Sequence, residues 1–144
     1  MKKILLACLV GSVMMSTNAL AKDDRVKFSI EPLLSSDKAK QALLNVPVYF
    51  AGQPHAEPTK VWGEVSTSQK TNAFLKSNQE ACEWVLLSAL KALQERARRE
   101  GMNAVVNIRS NYKHQEFTSS EEFECGAGNV IAGVALKGDL VTLP

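Results

Sequence analysis

Hydrophobic and polar positions follow two different periods along this chain. From Ser77 to Gly101, the residues Cys82, Leu86, Ala89, Leu90, Leu93 and Ala97 recur at helical spacing and make one apolar stripe. Ser77-Asn78-Gln79-Glu80 reads as a capping box, with Ser77 as N-cap. Gly101 stands where a left-handed C′ residue is expected. Arg96, Arg98 and Arg99 fall in the last turns, where cations suit the helix dipole. The pattern then changes to a period of two. Ala104, Val106 and Ile108 alternate with Val105, Asn107 and Arg109, as in a strand with one buried face. That strand is expected to run on through Tyr112 and Phe117, turn at Thr118-Ser119-Ser120, and return with Phe123, Cys125 and Ala127 on the inner side. Val130 to Leu136 reads as a buried strand, Gly138-Asp139 as a turn, and Leu140 to Leu143 as a short last strand.

The earlier part is less regular. Val26 to Ile30 alternates like a strand, and Ser35 or Ser36 is placed to cap a short helix reaching Leu44. Val46 to Phe50 reads as an edge strand, because Pro47 cannot donate to a ladder. Ala51 to Pro58 is a loop, and Val61 to Val65 a further short strand. The helix stripe needs an apolar surface, and the hairpin offers one. The expected fold is therefore α+β, an antiparallel sheet with one long amphipathic helix packed across one face.

The first residues bear on compartment. Lys2 and Lys3 precede an apolar or small run, Ile4 to Met15, and Ala19-Leu20-Ala21 has the small-x-small form of a cleavage site. Residues 1–21 read as a secretory signal peptide, too short in its apolar run for a mature transmembrane anchor. Leu5-Leu6-Ala7-Cys8 resembles a lipobox, but attachment at Cys8 would leave only Ile4 to Ala7 as apolar core, so Cys8 is read as a discarded signal residue. The expected layout is then a segment, 22–60, packing on an α+β core, 61–144. No later stretch has membrane-spanning length.

The whole chain carries a formal charge of +2. Lys2 and Lys3 account for it, leaving residues 22–144 balanced. A neutral chain argues against nucleic acid as partner, because such binding rests on phosphate neutralisation. Two cysteines lie beyond the signal segment, Cys82 and Cys125. An even count in an exported protein favours a disulfide, with two buried thiols or a redox-active pair as the alternatives. Cys82 lies in the helix's first turn and Cys125 mid-strand on the inner face, so a helix crossing the sheet brings them together.

The segments EACEWVLLSALKALQERARREGMNAVVNIRSNY and FECGAGNVIAGVALKG resemble a group of small exported proteobacterial proteins that often carry the label "excinuclease ATPase subunit". The layout is also similar, more remotely, to the YbjQ-like proteins and to the globular domain of the Rcs-pathway outer-membrane lipoprotein that senses envelope stress. The resemblance covers about residues 60–138. It implies an antiparallel sheet crossed by a long helix, and it aligns Cys125 with a disulfide-forming cysteine of the stress sensor. Cys82 does not match that cysteine's partner closely, and the sensor's unstructured N-terminal region has no counterpart here.

The residues do not support the ATPase label. Gly133-Val134-Ala135-Leu136-Lys137-Gly138 has Lys and Gly in the wrong order for a P-loop and no hydroxyl after them. Gly126-Ala127-Gly128 is followed by Ile131 where a dinucleotide fingerprint needs its third glycine. These glycines read instead as a bulge or close backbone packing. There is no Gly-x-Ser-x-Gly elbow, and the two histidines, His55 in a loop and His114 in a strand, suggest no nucleophile–base pair. The chain is therefore expected to be no enzyme, to bind no nucleotide and to need no cofactor.

Two binding readings are left. Trp84 falls on the polar side of the helix, near Ser88, Lys91 and Glu95. A large aromatic there is either covered by residues 22–60 or used with Leu87 and Lys91 in a contact with another envelope protein. Tyr49, Phe50 and Trp62 belong to the same cover or the same patch. The expected function is a non-enzymatic periplasmic binding or accessory module, acting through the Trp84 surface or a sheet edge. The alternative is a metal- or small-ligand-binding protein, with His114 and Glu116 on one strand and Glu122 and Glu124 across the turn.

Overall fold

The fold is seen in a computed structural model, which describes residues 24–144. The expected signal peptide, with Cys8, lies outside the described residues. The elements run β1 (Asp24–Ser29), α1 (Ile30–Leu34), α2 (Asp37–Ala42), β2 (Val48–Phe50), β3 (Lys60–Asn72), α3 (Asn78–Arg99), β4 (Ala104–Ser110), a 3-10 turn (Tyr112–His114), β5 (Glu122–Ala127) and β6 (Ile131–Thr142). Six strands make one mostly antiparallel sheet, and α3 packs across one face of it. The α+β architecture read from the sequence is thus the observed one.

The long helix forms as its pattern predicts. Ser77 Oγ accepts the Glu80 N–H at 3.1 Å, and Gly101 takes φ +73° just past the C-cap. All six stripe residues are buried, and Ala81, Val85, Leu87 and Gln94 are buried with them. The buried arc is wider than one sheet face requires because α1, α2 and the 43–46 segment cover a second side of the helix. Ile30, Leu33, Ala39 and Val46 belong to the same core cluster as Leu86 and Leu90. Gln94 fastens that cover. Its side-chain oxygen accepts the Leu44 N–H, and its Nε2 donates to the carbonyls of Leu44 and Val46.

The expected hairpin over residues 104–127 does not form. β4 stops at Ser110. Lys113 and His114 take left-handed backbone angles, φ +52° and +60°, which an extended strand cannot accommodate. Phe117 then returns to bridge Ser110. β4 and β5 do not pair as a hairpin; both lie along the same side of β6. β6 is also continuous through Gly138-Asp139, where a turn was expected. A Cβ on Gly138 would stand 2.9 Å from Val105 Cγ1 and 3.2 Å from Ile108 Cγ1, so the glycine serves close packing beside the β4 bulge.

β3 is far longer than the expected Val61–Val65. It pairs with β6 from Lys60↔Thr142 to Asn72↔Ile131. Its second half, Ser66 to Asn72, holds no apolar residue, which hid it from a hydrophobicity pattern; its threonines still suit a pleated surface. β1 pairs with β5 from Asp24↔Ala127 to Ser29↔Glu122, and β2 lies parallel to β4 at the sheet's edge. Pro47 sits just before that edge strand and offers its carbonyl to the Val105 N–H. The 24–60 segment therefore contributes two strands to the sheet as well as helical cover.

Candidate binding surface

Cys82 and Cys125 are bonded, with Cα atoms 5.9 Å apart and both residues fully buried between α3 and β5. A buried disulfide is a staple, not a reactive centre. It suits an oxidising, extracytoplasmic compartment. Among the described residues no helix is long and apolar enough to cross a membrane.

The Trp84 surface is divided by the structure. Leu87 is buried in the core and is not on any surface, a correction to its expected role. Seven residues before Gln94, it shares the side of α3 that the 44–46 segment covers, and that cover removes it from solvent. Lys91 is exposed. Trp84 is 39% exposed, and α2 partly covers it: Lys38 Nζ stands 5.0 Å above the ring and pairs with Glu83 at 3.3 Å. Trp62 is capped separately by Arg96, with Cζ 5.1 Å from the ring centroid. Arg96 is twelve residues along α3 from Trp84, roughly 18 Å at helical rise. The two tryptophans therefore do not share a patch. Phe50 is core, and Tyr49 packs beside His55.

The His/Glu set is dispersed as well. His114 is exposed in the 3-10 turn and is not in a strand. Glu116 pairs with Arg109 at 3.4 Å and with Lys137 at 3.2 Å. Glu122 is exposed at the start of β5, in register with Ser29. Glu124 is buried and pairs with Arg25 at 3.0 Å. Among the described residues no three His, Cys, Asp or Glu side chains converge as metal ligands would.

Glu116 belongs instead to an ion network on the sheet face opposite α3. Arg109, largely buried, pairs with both Glu64 and Glu116. Desolvation opposes its charge, but the Glu64 hydrogen bond and the charges of both carboxylates outweigh that, so its pKa is raised. The Lys137 hydrogen bond, with the charges of Arg109 and Lys137, holds the Glu116 carboxyl below its usual range. Beside this network, Ser66, Ser68, Lys70, Asn111 and the 112–114 turn line an open groove of about 470 Å³. The Tyr112 ring lies over the cross-strand pair Gly126↔Gly133, and a Cβ on Gly126 would stand 2.1 Å from it.

A different surface stands out at one end of the sheet. There the β3–α3 connection and the β5–β6 turn lie side by side, joined by the Ala73 N–H to Val130 carbonyl hydrogen bond at 2.7 Å. Phe74 is 60% exposed, Leu75 90%, Val130 59% and Ile131 53%. Leu75 holds φ +61°, an unusual angle for a branched apolar residue. Neither Phe74 nor Leu75 serves as the hydrophobic staple of α3, because the N′ position is Lys76. Sequence reading assigned Val130 and Ile131 to a buried strand and missed Phe74 and Leu75. The available signal was two adjacent large apolar residues in a connection that needs none. No family model, curated protein or solved structure matches this chain.

Proposed function

We propose that the protein is a non-enzymatic binding or accessory module of the periplasm, exported by its N-terminal signal peptide and acting through the apolar tip. The observation that carries this reading is the cluster of Phe74, Leu75, Val130 and Ile131, each more than half exposed on two adjoining turns. Exposed apolar patches of this kind mark interaction sites. The Cys82–Cys125 staple and the balanced charge of residues 22–144 support export and argue against nucleic-acid binding. The dispersal of His114, Glu116, Glu122 and Glu124 favours the binding module over the metal-binding alternative. The resemblance to small exported proteobacterial proteins points the same way.

Photo-crosslinking in living cells tests the reading. A crosslinkable residue at position 75 or 130 is expected to give adducts with an envelope component, protein or lipid. The same group at Lys91 or Ser68 is expected to give none. Absence of tip-specific adducts in well-expressed protein removes the proposal.

A further inference from the structure

We propose that the apolar tip seats on a lipid bilayer: Phe74, Leu75, Val130 and Ile131 enter the headgroup–acyl boundary, and Lys70 and Lys76 face anionic headgroups. The inference rests on the reading of the tip as a binding surface and names its partner.

Two observations favour a membrane over a protein. The first is shape and area. The four side chains stand on two turns at the extreme end of the sheet, and Leu75 is 90% exposed. Together they present on the order of 400 Å² of apolar surface, about half of what one partner brings to a stable protein interface. That is enough for shallow insertion, where each large apolar side chain adds its own transfer free energy. Three of them, Phe74, Val130 and Ile131, line an open hollow of about 480 Å³ together with Lys70, Thr71 and Asn72.

The second observation is charge. Lys70, on the rim of that hollow, and Lys76, next to Leu75 in the chain, are both exposed. Asp24 shares that end and Glu80 is exposed in the first turn of α3, so the anionic preference is modest. Each lysine near an anionic surface strengthens binding by roughly fivefold.

The test uses the mature protein, exported with its own leader and purified from the periplasm. Co-sedimentation is measured with vesicles of phosphatidylethanolamine and phosphatidylglycerol, and with phosphatidylcholine vesicles. Binding is expected to both, stronger to the anionic set, and to weaken with salt. Phe74→Ser with Leu75→Ser is expected to lower partitioning about 100-fold, and Val130→Ser with Ile131→Ser by a similar factor. Lys70→Glu with Lys76→Glu is expected to remove the anionic preference. Trp84→Ala is expected to change nothing. Because all variants share one N-terminus, the comparison isolates the tip, and matched melting temperatures show that each variant is folded. Vesicle binding that is absent, or indifferent to the tip substitutions, overturns the membrane assignment. So does a tip-dependent dimer by analytical ultracentrifugation, since the occupant would then be a second copy. Tip crosslinks to protein without vesicle binding leave the binding module standing and refute only the lipid.

Discussion

The two faces of the sheet are built from the same strands and held by different forces. On the α3 side, Val105, Ile108, Phe123, Val134, Leu136 and Leu140 meet Leu86, Leu90 and Leu93, and the Cys82–Cys125 bond ties strand to helix. On the opposite side, the same β4, β5 and β6 present Arg109, Glu124, Gly126, Lys137 and Asp139, with a small second cluster of Ala104, Val106 and Val141. A strand's period of two makes this division inevitable. Burial scales with apolar area, whereas exposed ion pairs contribute little. The helix-covered face should therefore hold most of the stability, and the far face should be cheap to alter.

The largest effect is expected at the staple. Replacing Cys82 and Cys125 together by alanine opens a 43-residue separation and should cost about 4 kcal/mol on the chain-entropy account. Urea unfolding of the oxidised wild type against the double variant measures it. A loss below about 1 kcal/mol would mean that the covered face does not depend on its covalent tie. Next is Gln94→Leu. The substitution preserves bulk but strips partners from the Leu44 N–H and the carbonyls of Leu44 and Val46. A cost of about 2–3 kcal/mol is expected, since these backbone groups lose the hydrogen bonds that Gln94 gives them. A neutral result would show that water already reaches the 44–46 segment.

How much of this was legible in the sequence follows from the same division. The Ser77–Gly101 helix, the disulfide and a short helix capped at Ser35 or Ser36, which the structure caps at Ser36 and ends at Ala42, were readable because each rests on local signals: a cap, a 3.6-residue stripe, an even cysteine count. The far side of the core was not. Gln94 looks like a surface residue until the 43–46 segment folds over it. Gly138 looks like a turn until Val105 and Ile108 are seen against it. The hairpin over 104–127 was misread because alternation specifies strands but not their neighbours. β4 and β5 share β6, and nothing local in Lys113-His114 announces the left-handed turn that separates them. The apolar tip escaped for a related reason. Phe74 and Leu75 belong to no periodic element, so a reading built on periodicity passed over them.

On the far face, Gly126→Ala probes the tyrosine lid. The new Cβ would stand 2.1 Å from Tyr112 Cζ, and the ring must leave the Gly126↔Gly133 pair. A loss of about 1–2 kcal/mol is expected, because the clash is with a side chain that can move. Repeating the substitution in a Tyr112→Ala background should recover most of it. Failure of that recovery would place the strain in the strand backbone and would make this face less adaptable than the comparison holds.

The smallest effect concerns the Arg109 network and carries the sharpest sign. Glu116 is held ionised by the Lys137 hydrogen bond and by the charges of Arg109 and Lys137, so its folded pKa lies below its usual 4.5. A carboxyl with a depressed folded pKa stabilises the protein above the unfolded value, and that contribution disappears as pH falls through the folded value. Wild type and Glu116→Gln should therefore differ in melting temperature at pH 7 and converge as the pH drops below 4.5. Glu116 is solvent-exposed, so the difference should be slight and should shrink in high salt. Arg109 behaves differently because it is largely buried and serves two carboxylates. Arg109→Met should cost more than Glu116→Gln, since it leaves Glu64 and Glu116 facing each other without their shared cation. If Glu116→Gln proves as costly as Arg109→Met, and salt leaves both unchanged, the network is acting as a desolvated core element. The far face would then share in holding the fold, and the division of labour between the two sides of the sheet would fail.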